Sequence, residues 1–144
     1  MNQYSGIYRR CELLYIRHEL DQFGLQPLEG KILMFLENNQ CTQEEIGAYF
    51  DLDKGRIAKS LSELEERNLA CRRVNEKNKR QKFVALTENG YHVLEEIHEV
   101  FKRWDELCYT GFTDEEKRLH QDFVRRITEN VMSCRHREGE DINE

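Results

Sequence analysis

Basic side chains are concentrated in one short stretch of an otherwise acidic chain. Residues 67–82 hold seven lysines and arginines against a single acidic residue, Glu76, whereas the whole 144-residue chain carries a net charge of −6. Local potential, rather than total charge, guides a polyanion to a protein surface. The basic residues are Arg67, Arg72, Arg73, Lys77, Lys79, Arg80 and Lys82. We therefore expect this stretch to contact phosphate groups.

A second basic group lies on a predicted helix just before this stretch. Asp53 is placed to cap a helix that runs to about residue 67, and its apolar face carries Ile57, Leu61 and Leu64. A helix N-terminus favours phosphate, and arginine and lysine suit guanine edges. The face that we predict to be exposed carries Lys54, Gly55, Arg56, Lys59, Ser60 and Glu63. This helix therefore has the side chains needed to read a DNA groove.

The surrounding elements form a pattern that would position both basic groups. Periodicity and capping signals predict two helices, a short helix that opens at Thr42, the helix after Asp53, a basic hairpin with its tip at residues 75–79, and two final helices. A helix pair followed by a hairpin is typical of a winged helix-turn-helix. We predict a mainly α fold with residues 1–25 as an N-terminal helix, 26–88 as the winged region, 89–134 as C-terminal helices and 135–144 as a polar, frayed tail.

Several classes of protein are disfavoured by what the sequence lacks. It has no run of about 20 apolar residues that could cross a membrane, and no signal-peptide pattern, so we expect a cytoplasmic protein without a membrane partner. Its five cysteines form no CxxC pair and its histidines no HxxxH motif, which argues against a metal site. No GxSxG motif or glycine-rich phosphate loop is present, so we predict neither an enzyme nor a bound cofactor.

Three segments carry a resemblance to a known family. They read TQEEIGAYFDLDKGRIAKSLSELEERNLACR, then NKRQKFVALTENG, then FTDEEK. In this order they resemble the MarR family of bacterial transcriptional regulators, over a range from about Tyr8 to Val131. The passage from hairpin to helix that ends in VALTENG is the most specific part, because a bare helix-turn-helix occurs in many families.

The resemblance implies a homodimer that binds double-stranded DNA. The first, fifth and sixth helices would form the dimerisation region, residues 53–68 would be the recognition helix, and Arg80 would reach the minor groove. Thr42 and Gln43 would lie near phosphate. Two positions depart from the family pattern: Asn78 replaces an aspartate that helps to hold the wing arginine, and Asn68 replaces a glycine. The two recognition helices would bind an inverted repeat with half-sites about 10 base pairs apart.

The candidate site residues of the chain fall into three groups. The predicted DNA-binding residues are Thr42, Gln43, Lys54, Gly55, Arg56, Lys59, Ser60, Arg72, Arg73, Lys77, Asn78, Lys79 and Arg80. One of Arg72 and Arg73 could instead pair with a neighbouring carboxylate. Family members commonly repress transcription and release DNA when a small phenolic or amphipathic effector binds, and the candidate effector-binding residues are Tyr8, Tyr15, His18 and Trp104. Cys11 is the candidate redox-active thiol.

Two alternatives remain open from the sequence. One is a thiol-based redox-sensing regulator of the same fold, which would need an accessible cysteine with a lowered pKa. The other is a winged-helix module that binds protein instead of DNA. Such a module would expose apolar residues on the recognition face, where this chain has arginine, lysine and serine.

Overall fold

The computed structural model describes residues 2–141 of the chain, with side chains described for residues 2–135. In chain order the elements are α1 (Gln3–Asp21), α2 (Pro27–Leu36), β1 (Cys41–Thr42), α3 (Gln43–Phe50), α4 (Lys54–Glu66), β2 (Ala70–Asn75), β3 (Asn78–Leu86), α5 (Glu88–Cys108) and α6 (Asp114–Asp141). The predicted mainly helical, winged helix-turn-helix fold is confirmed. The chain divides into two compact units, one up to Asp105 and one from Glu106.

Local capping explains where the central helices begin. Pro27 occupies the first turn of α2, where its missing N–H costs nothing, and the Glu29 carboxylate accepts a hydrogen bond from the Gln26 N–H at 2.7 Å. Thr42 Oγ1 caps α3 through the Glu45 N–H at 3.2 Å. Asp53 Oδ1 caps α4 through the Arg56 N–H at 2.9 Å, so the predicted start of that helix is confirmed.

The sheet forms a hairpin with one additional strand. β2 pairs antiparallel with β3 from Ala70 opposite Leu86 to Asn75 opposite Asn78, which leaves Glu76 and Lys77 as the turn. The turn is therefore shorter than the predicted tip at 75–79. The two-residue strand β1 pairs with the other edge of β3, and sequence analysis missed it because so short a strand has no periodicity.

The core of the first unit joins the winged region to α1 and α5. The fully buried side chains include residues of α1, α2, α3, α4, β3 and α5: Ile16, Leu20, Ile32, Leu33, Ile46, Ile57, Leu61, Leu64, Val84, Leu94, Ile97 and Val100. Burying an aliphatic side chain contributes about 1.5–3 kcal/mol, so this shared core is the main reason that α4 has a fixed orientation.

The corner between α4, β2 and α5 depends on a close backbone approach. Asn68 follows α4 with a φ of 54°, the left-handed conformation that glycine, and next to it asparagine, adopts at the end of a helix. The next carbonyl, that of Leu69, accepts a hydrogen bond from the Thr87 N–H at 3.2 Å. A Cβ atom added to Gly90 would lie 2.1 Å from the same Leu69 oxygen. The first turn of α5 therefore packs against the end of α4 only because residue 90 has no side chain.

The second unit contains the end of α5 and the helix α6. Thr113 and Glu116 form a capping box at the start of α6, with hydrogen bonds of 2.9 and 3.1 Å between side chain and backbone. α6 continues to Asp141, so the predicted tail from Arg135 is helical as far as it is described, and residues 142–144 lie outside the described part. Within residues 2–141, no helix is both long and apolar enough to span a membrane.

Candidate nucleic-acid interface

The exposed face of α4 carries the basic residues that the sequence predicted for it. Lys54, Gly55, Arg56 and Lys59 are all exposed, whereas Ile57 on the opposite face is fully buried. Asp53 Oδ1 caps the first turn of the helix through the Arg56 N–H, and the side chains of Arg56 and Lys59 lie on the accessible surface. This face combines positive charge with hydrogen-bond donors.

Ser60 does not belong to this face, and the prediction that it is exposed is wrong. Its side chain is buried, because Ser60 lies three residues after Ile57 and four before Leu64, within the apolar stripe of α4. Glu63, also predicted on the exposed face, is half-buried and its carboxylate lies beside that of Glu29 on α2. The helical period therefore places both residues toward the protein, away from any groove.

The back of α4 contacts a buried carboxyl group. Glu29 is 3% exposed, yet it is placed beside Glu63, with the Arg67 guanidinium contributing an opposing charge. Burial raises the pKa of Glu29, the Gln26 hydrogen bond opposes that rise, and the neighbouring Glu63 carboxylate adds to it. Because the neutral form is favoured in the folded state, Glu29 contributes most to stability at a pH below the pKa that it has in the unfolded chain. That contribution is lost as pH rises through the raised pKa.

Glu29→Gln is therefore expected to stabilise the protein at neutral pH. The amide oxygen keeps the hydrogen bond from Gln26, while the buried negative charge beside Glu63 is removed. We expect a gain of about 1 kcal/mol in the free energy of unfolding at pH 7, shrinking toward zero near pH 4. Urea unfolding of both proteins across this range measures the difference. A variant that is less stable at pH 7 would show that the carboxylate is held favourably by Arg67.

The wing presents its basic residues at and beside the turn. Arg73, Lys77, Lys79, Arg80 and Lys82 are exposed. The turn is ordered by asparagines: Asn75 Oδ1 accepts from the Lys77 N–H at 3.0 Å, and Asn78 Oδ1 accepts from the Arg80 N–H at 3.3 Å. Asn78 therefore still supplies a hydrogen bond to the backbone of Arg80, although it cannot form the ion pair of an aspartate.

Arg72 differs from the other wing cations, because its guanidinium is engaged within the protein. It forms an ion pair with Glu65 and donates to Ser62 Oγ at 3.0 Å, both on α4. It also donates to Gln43 Oε1 on α3 at 3.3 Å. Its side chain is only 18% exposed. The alternative that one of the two adjacent arginines pairs with a carboxylate is thus confirmed for Arg72.

Of the two residues predicted to lie near phosphate at the start of α3, only Gln43 has a side chain that reaches the surface. Thr42 is 3% exposed and its hydroxyl oxygen caps the helix, so its predicted place near phosphate is wrong for the side chain. Gln43, the next residue, is half-buried and lies at the surface beside Arg72. Thr42 therefore caps the helix, whereas Gln43 is the residue of this pair that lies at the surface.

Arg67 has a role that the sequence did not indicate. At the end of α4, its guanidinium donates hydrogen bonds to the carbonyl oxygens of Phe23 and Gly24, in the connection after α1. More than 40 residues separate these partners, so no local pattern could have identified them. Arg67 therefore anchors the end of α4 to the connection after α1, and its guanidinium is less available to a ligand than those of the exposed wing arginines.

Three of the four candidate effector-binding residues lie together. The ring centroids of Tyr8 and Tyr15 on α1 are 6.0 and 5.0 Å from that of Trp104 on α5. Trp104 is 8% exposed, and its indole N–H has no acceptor among the described residues. His18 is exposed and makes no described ring contact with this group. An aromatic surface with one donor would suit an aromatic ligand that carries an acceptor.

The cysteines differ in accessibility. Cys11 is exposed on α1. Cys41 is buried in β1, and burial, with a smaller contribution from the Glu45 carboxylate, raises the pKa of its thiol to about 11. A thiol with so high a pKa carries little thiolate at neutral pH and reacts slowly with oxidants. Within the described residues, no three histidine, cysteine or acidic side chains are grouped so as to hold a metal ion.

The chain is similar in sequence to known helix-turn-helix regulators. The sequence profile of the MarR family matches residues 23–81. The chain is 30% identical to the uncharacterized HTH-type transcriptional regulator YwoH of Bacillus subtilis over 74% of this chain and 78% of that protein. It is 29% identical to the HTH-type transcriptional regulator BilQ of Clostridium symbiosum over 80% of this chain and 81% of that protein.

Solved structures show the same fold over nearly the whole chain. The crystal structure of MarR superposes with a TM-score of 0.79 at 27% identity, covering 94% of this chain and 97% of that one. The structure of S. aureus MepR in complex with DNA superposes with a TM-score of 0.78 at 20% identity, covering 90% and 99%. The second likeness concerns the fold alone.

Proposed function

Since the chain belongs to the MarR family of DNA-binding transcriptional regulators and is not an enzyme, we propose that it is a repressor that binds an inverted repeat as a homodimer. The observation that carries this proposal is the exposed basic face of α4 beside a basic wing. Helix and wing together offer the two kinds of contact that such proteins make with DNA, base edges in the major groove and phosphates beside it. Acting on the chromosome, the protein would work in the cytoplasm.

The proposed DNA surface contains the exposed predicted residues. On α4, Arg56 and Lys59 would contact base edges, and the N-terminus at Lys54 and Gly55 would contact phosphate. On the wing, Arg80 would enter the minor groove, and the phosphate contacts would come from Arg73, Lys77, Lys79 and Lys82. Asn78 would hold the wing turn, and Gln43 would contact the backbone from α3. The charge in these elements supports the proposal because phosphate contacts provide most of the affinity for DNA.

The proposed dimer would bury apolar residues that are exposed in the single chain. On α1 these include Tyr4, Ile7 and Leu14, which are 54–69% exposed, and on α6 they are Leu119, Phe123, Ile127 and Val131. The four residues of α6 follow one another at intervals of four, so they form one stripe of the helix. Contiguous exposed apolar surface of this kind marks interaction sites. A dimer also supplies the two recognition helices that an inverted repeat requires.

The proposed effector would bind at the aromatic group of Tyr8, Tyr15 and Trp104. A small phenolic or amphipathic molecule fits the chemistry there, because its ring would stack and its oxygen would accept from the indole N–H of Trp104. Trp104 is the single tryptophan of the chain, so its fluorescence during titration with a simple phenol reports binding. Saturable quenching together with loss of DNA binding would support this site, and unchanged fluorescence would remove it.

Selection of bound duplexes from random DNA tests the proposed function. The purified protein is incubated with random duplexes at near-physiological salt, and the bound fraction is amplified and sequenced. We expect a palindromic motif with half-sites about one helical turn apart, which would establish sequence-specific binding by a dimer. No enrichment, with only weak salt-sensitive binding, would contradict the proposal and would favour a winged-helix module that binds protein.

A further inference from the structure

Arg72 occupies the junction of the three elements that form the proposed DNA surface. It leaves β2 at the base of the wing, and its guanidinium reaches both α4 and α3. The Glu65 carboxylate neutralises its charge and accepts one hydrogen bond. Ser62 Oγ accepts a second and the Gln43 amide oxygen a third. An arginine with its donors engaged on three sides and its charge paired has little left to offer to a phosphate.

The hydrogen bond from Arg72 to Gln43 determines which atom of the Gln43 amide can bind a ligand. A glutamine amide has one acceptor oxygen and two N–H donors on its nitrogen. Arg72 binds the oxygen, which fixes the orientation of the amide and leaves Nε2 as the group that can donate outward. Phosphate oxygens are acceptors only, so an amide turned the other way would present its oxygen and would be repelled.

We infer that Arg72 is a positioning residue, which sets the Gln43 amide to donate to the DNA backbone and holds α3, α4 and the wing in register. The inference rests on the proposed function, in particular on the contact between Gln43 and DNA. It departs from the expectation drawn from the sequence, in which Arg72 itself contacts phosphate. A positioning residue and a phosphate contact differ in two measurable ways: in how the affinity for DNA depends on salt, and in whether the losses of affinity add in a double variant.

The test measures affinity for the selected duplex between 50 and 300 mM salt, concentrations chosen around the physiological value. The variants are Arg72→Ala, Arg72→Lys, Gln43→Ala and Arg72→Ala with Gln43→Ala, and Arg73→Ala is the matched control from the adjacent position. Unfolding curves of each variant show that it is folded at the temperature of the binding assay. If Arg72→Ala fails this criterion, Arg72→Lys replaces it in the double variant.

A positioning role predicts three results. Gln43→Ala and Arg72→Ala each weaken binding by about fivefold, the value of one typical hydrogen bond, and the double variant is no weaker than the weaker single one. Arg72→Ala leaves the salt dependence unchanged, whereas Arg73→Ala reduces its slope by about 0.9. Arg72→Lys behaves like Arg72→Ala, because one ammonium cannot reproduce the planar fork that joins three partners.

The contrary results are equally distinct. A reduced salt slope for Arg72→Ala, with additive losses in the double variant and nearly full affinity for Arg72→Lys, would make Arg72 a phosphate contact. Unchanged affinity for Gln43→Ala would also overturn the inference. If the wild-type protein itself enriches no duplex, the proposed function fails and takes this inference with it. A wild-type protein that binds normally while the variants are additive contradicts only the role of Arg72.

Discussion

Gly90→Ala is expected to destabilise the protein by about 3 kcal/mol, at the upper end of the cost of overpacking. The added Cβ would lie 2.1 Å from the Leu69 carbonyl oxygen and 3.2 Å from a Leu86 methyl carbon. The oxygen is backbone and is already bound by the Thr87 N–H, so it cannot rotate away as a side chain would. Either α5 shifts from the corner after α4 or that corner opens. Thermal and urea unfolding measure the loss.

Gly6→Ala is the matched control for this prediction. Gly6 also lies in the first turns of a helix, α1, but a Cβ there would meet nothing within 4 Å. Alanine is the better helix former, so we expect this variant to be as stable as the wild type or slightly more stable. A Gly90→Ala protein that unfolds at the same urea concentration as wild type would show that α5 does not pack closely against Leu69.

Arg80→Ala is expected to weaken binding to the selected duplex by tenfold to a hundredfold, on the order of one lost arginine contact in a groove. Arg80 is exposed on the wing, and its backbone N–H donates to Asn78 Oδ1. Among the side chains of residues 2–135, none forms a hydrogen bond or ion pair with the Arg80 guanidinium, so the unfolding free energy should change little. The slope of affinity against salt should fall by about 0.9 if the arginine also neutralises one phosphate.

Arg118→Ala controls for the loss of one positive charge. Arg118 is exposed on α6, where it forms a weak ion pair with Glu115 at 3.9 Å and lies near the Asp122 carboxylate. This variant should bind the duplex as the wild type does, at every salt concentration. If Arg80→Ala binds equally well, the wing arginine is not part of the DNA surface. If both variants lose affinity to the same extent, the effect belongs to net charge and not to a contact.

The parts of this fold that were predictable are those determined by neighbouring residues. Helix starts at Asp53 and Thr113 follow from the hydrogen bond between a cap side chain and the N–H group three residues later. The left-handed stop at Asn68 and the basic turn of the hairpin follow from equally local preferences. The exposed basic residues of α4 followed from the period of its apolar stripe, and the same period, applied strictly, would have excluded Ser60.

The parts that were missed depend on contacts between distant residues. Glu29 reads in the sequence as a helix-capping residue, and nothing nearby shows that it is buried against Glu63, 34 positions further on. Arg67 reads as a surface cation, and the sequence could not decide which of Arg72 and Arg73 pairs with a carboxylate. The reason is that the carbonyl, carboxylate and amide partners of Arg67 and Arg72 lie on other elements. A charge count therefore overstates the basic surface: two of the seven cations between residues 67 and 82 serve the fold.

The sequence preference of the variant Arg56→Ala tests the central claim, that the exposed face of α4 reads DNA. The selection from random duplexes is repeated with this variant beside the wild type and Arg118→Ala. We predict that the enriched motif changes at the same position in both half-sites, because the side chain that distinguishes the bases there is gone, while Arg118→Ala yields the wild-type motif. An unchanged motif for Arg56→Ala, with affinity lowered equally for all sequences, would contradict the claim and would leave Arg56 as a phosphate contact.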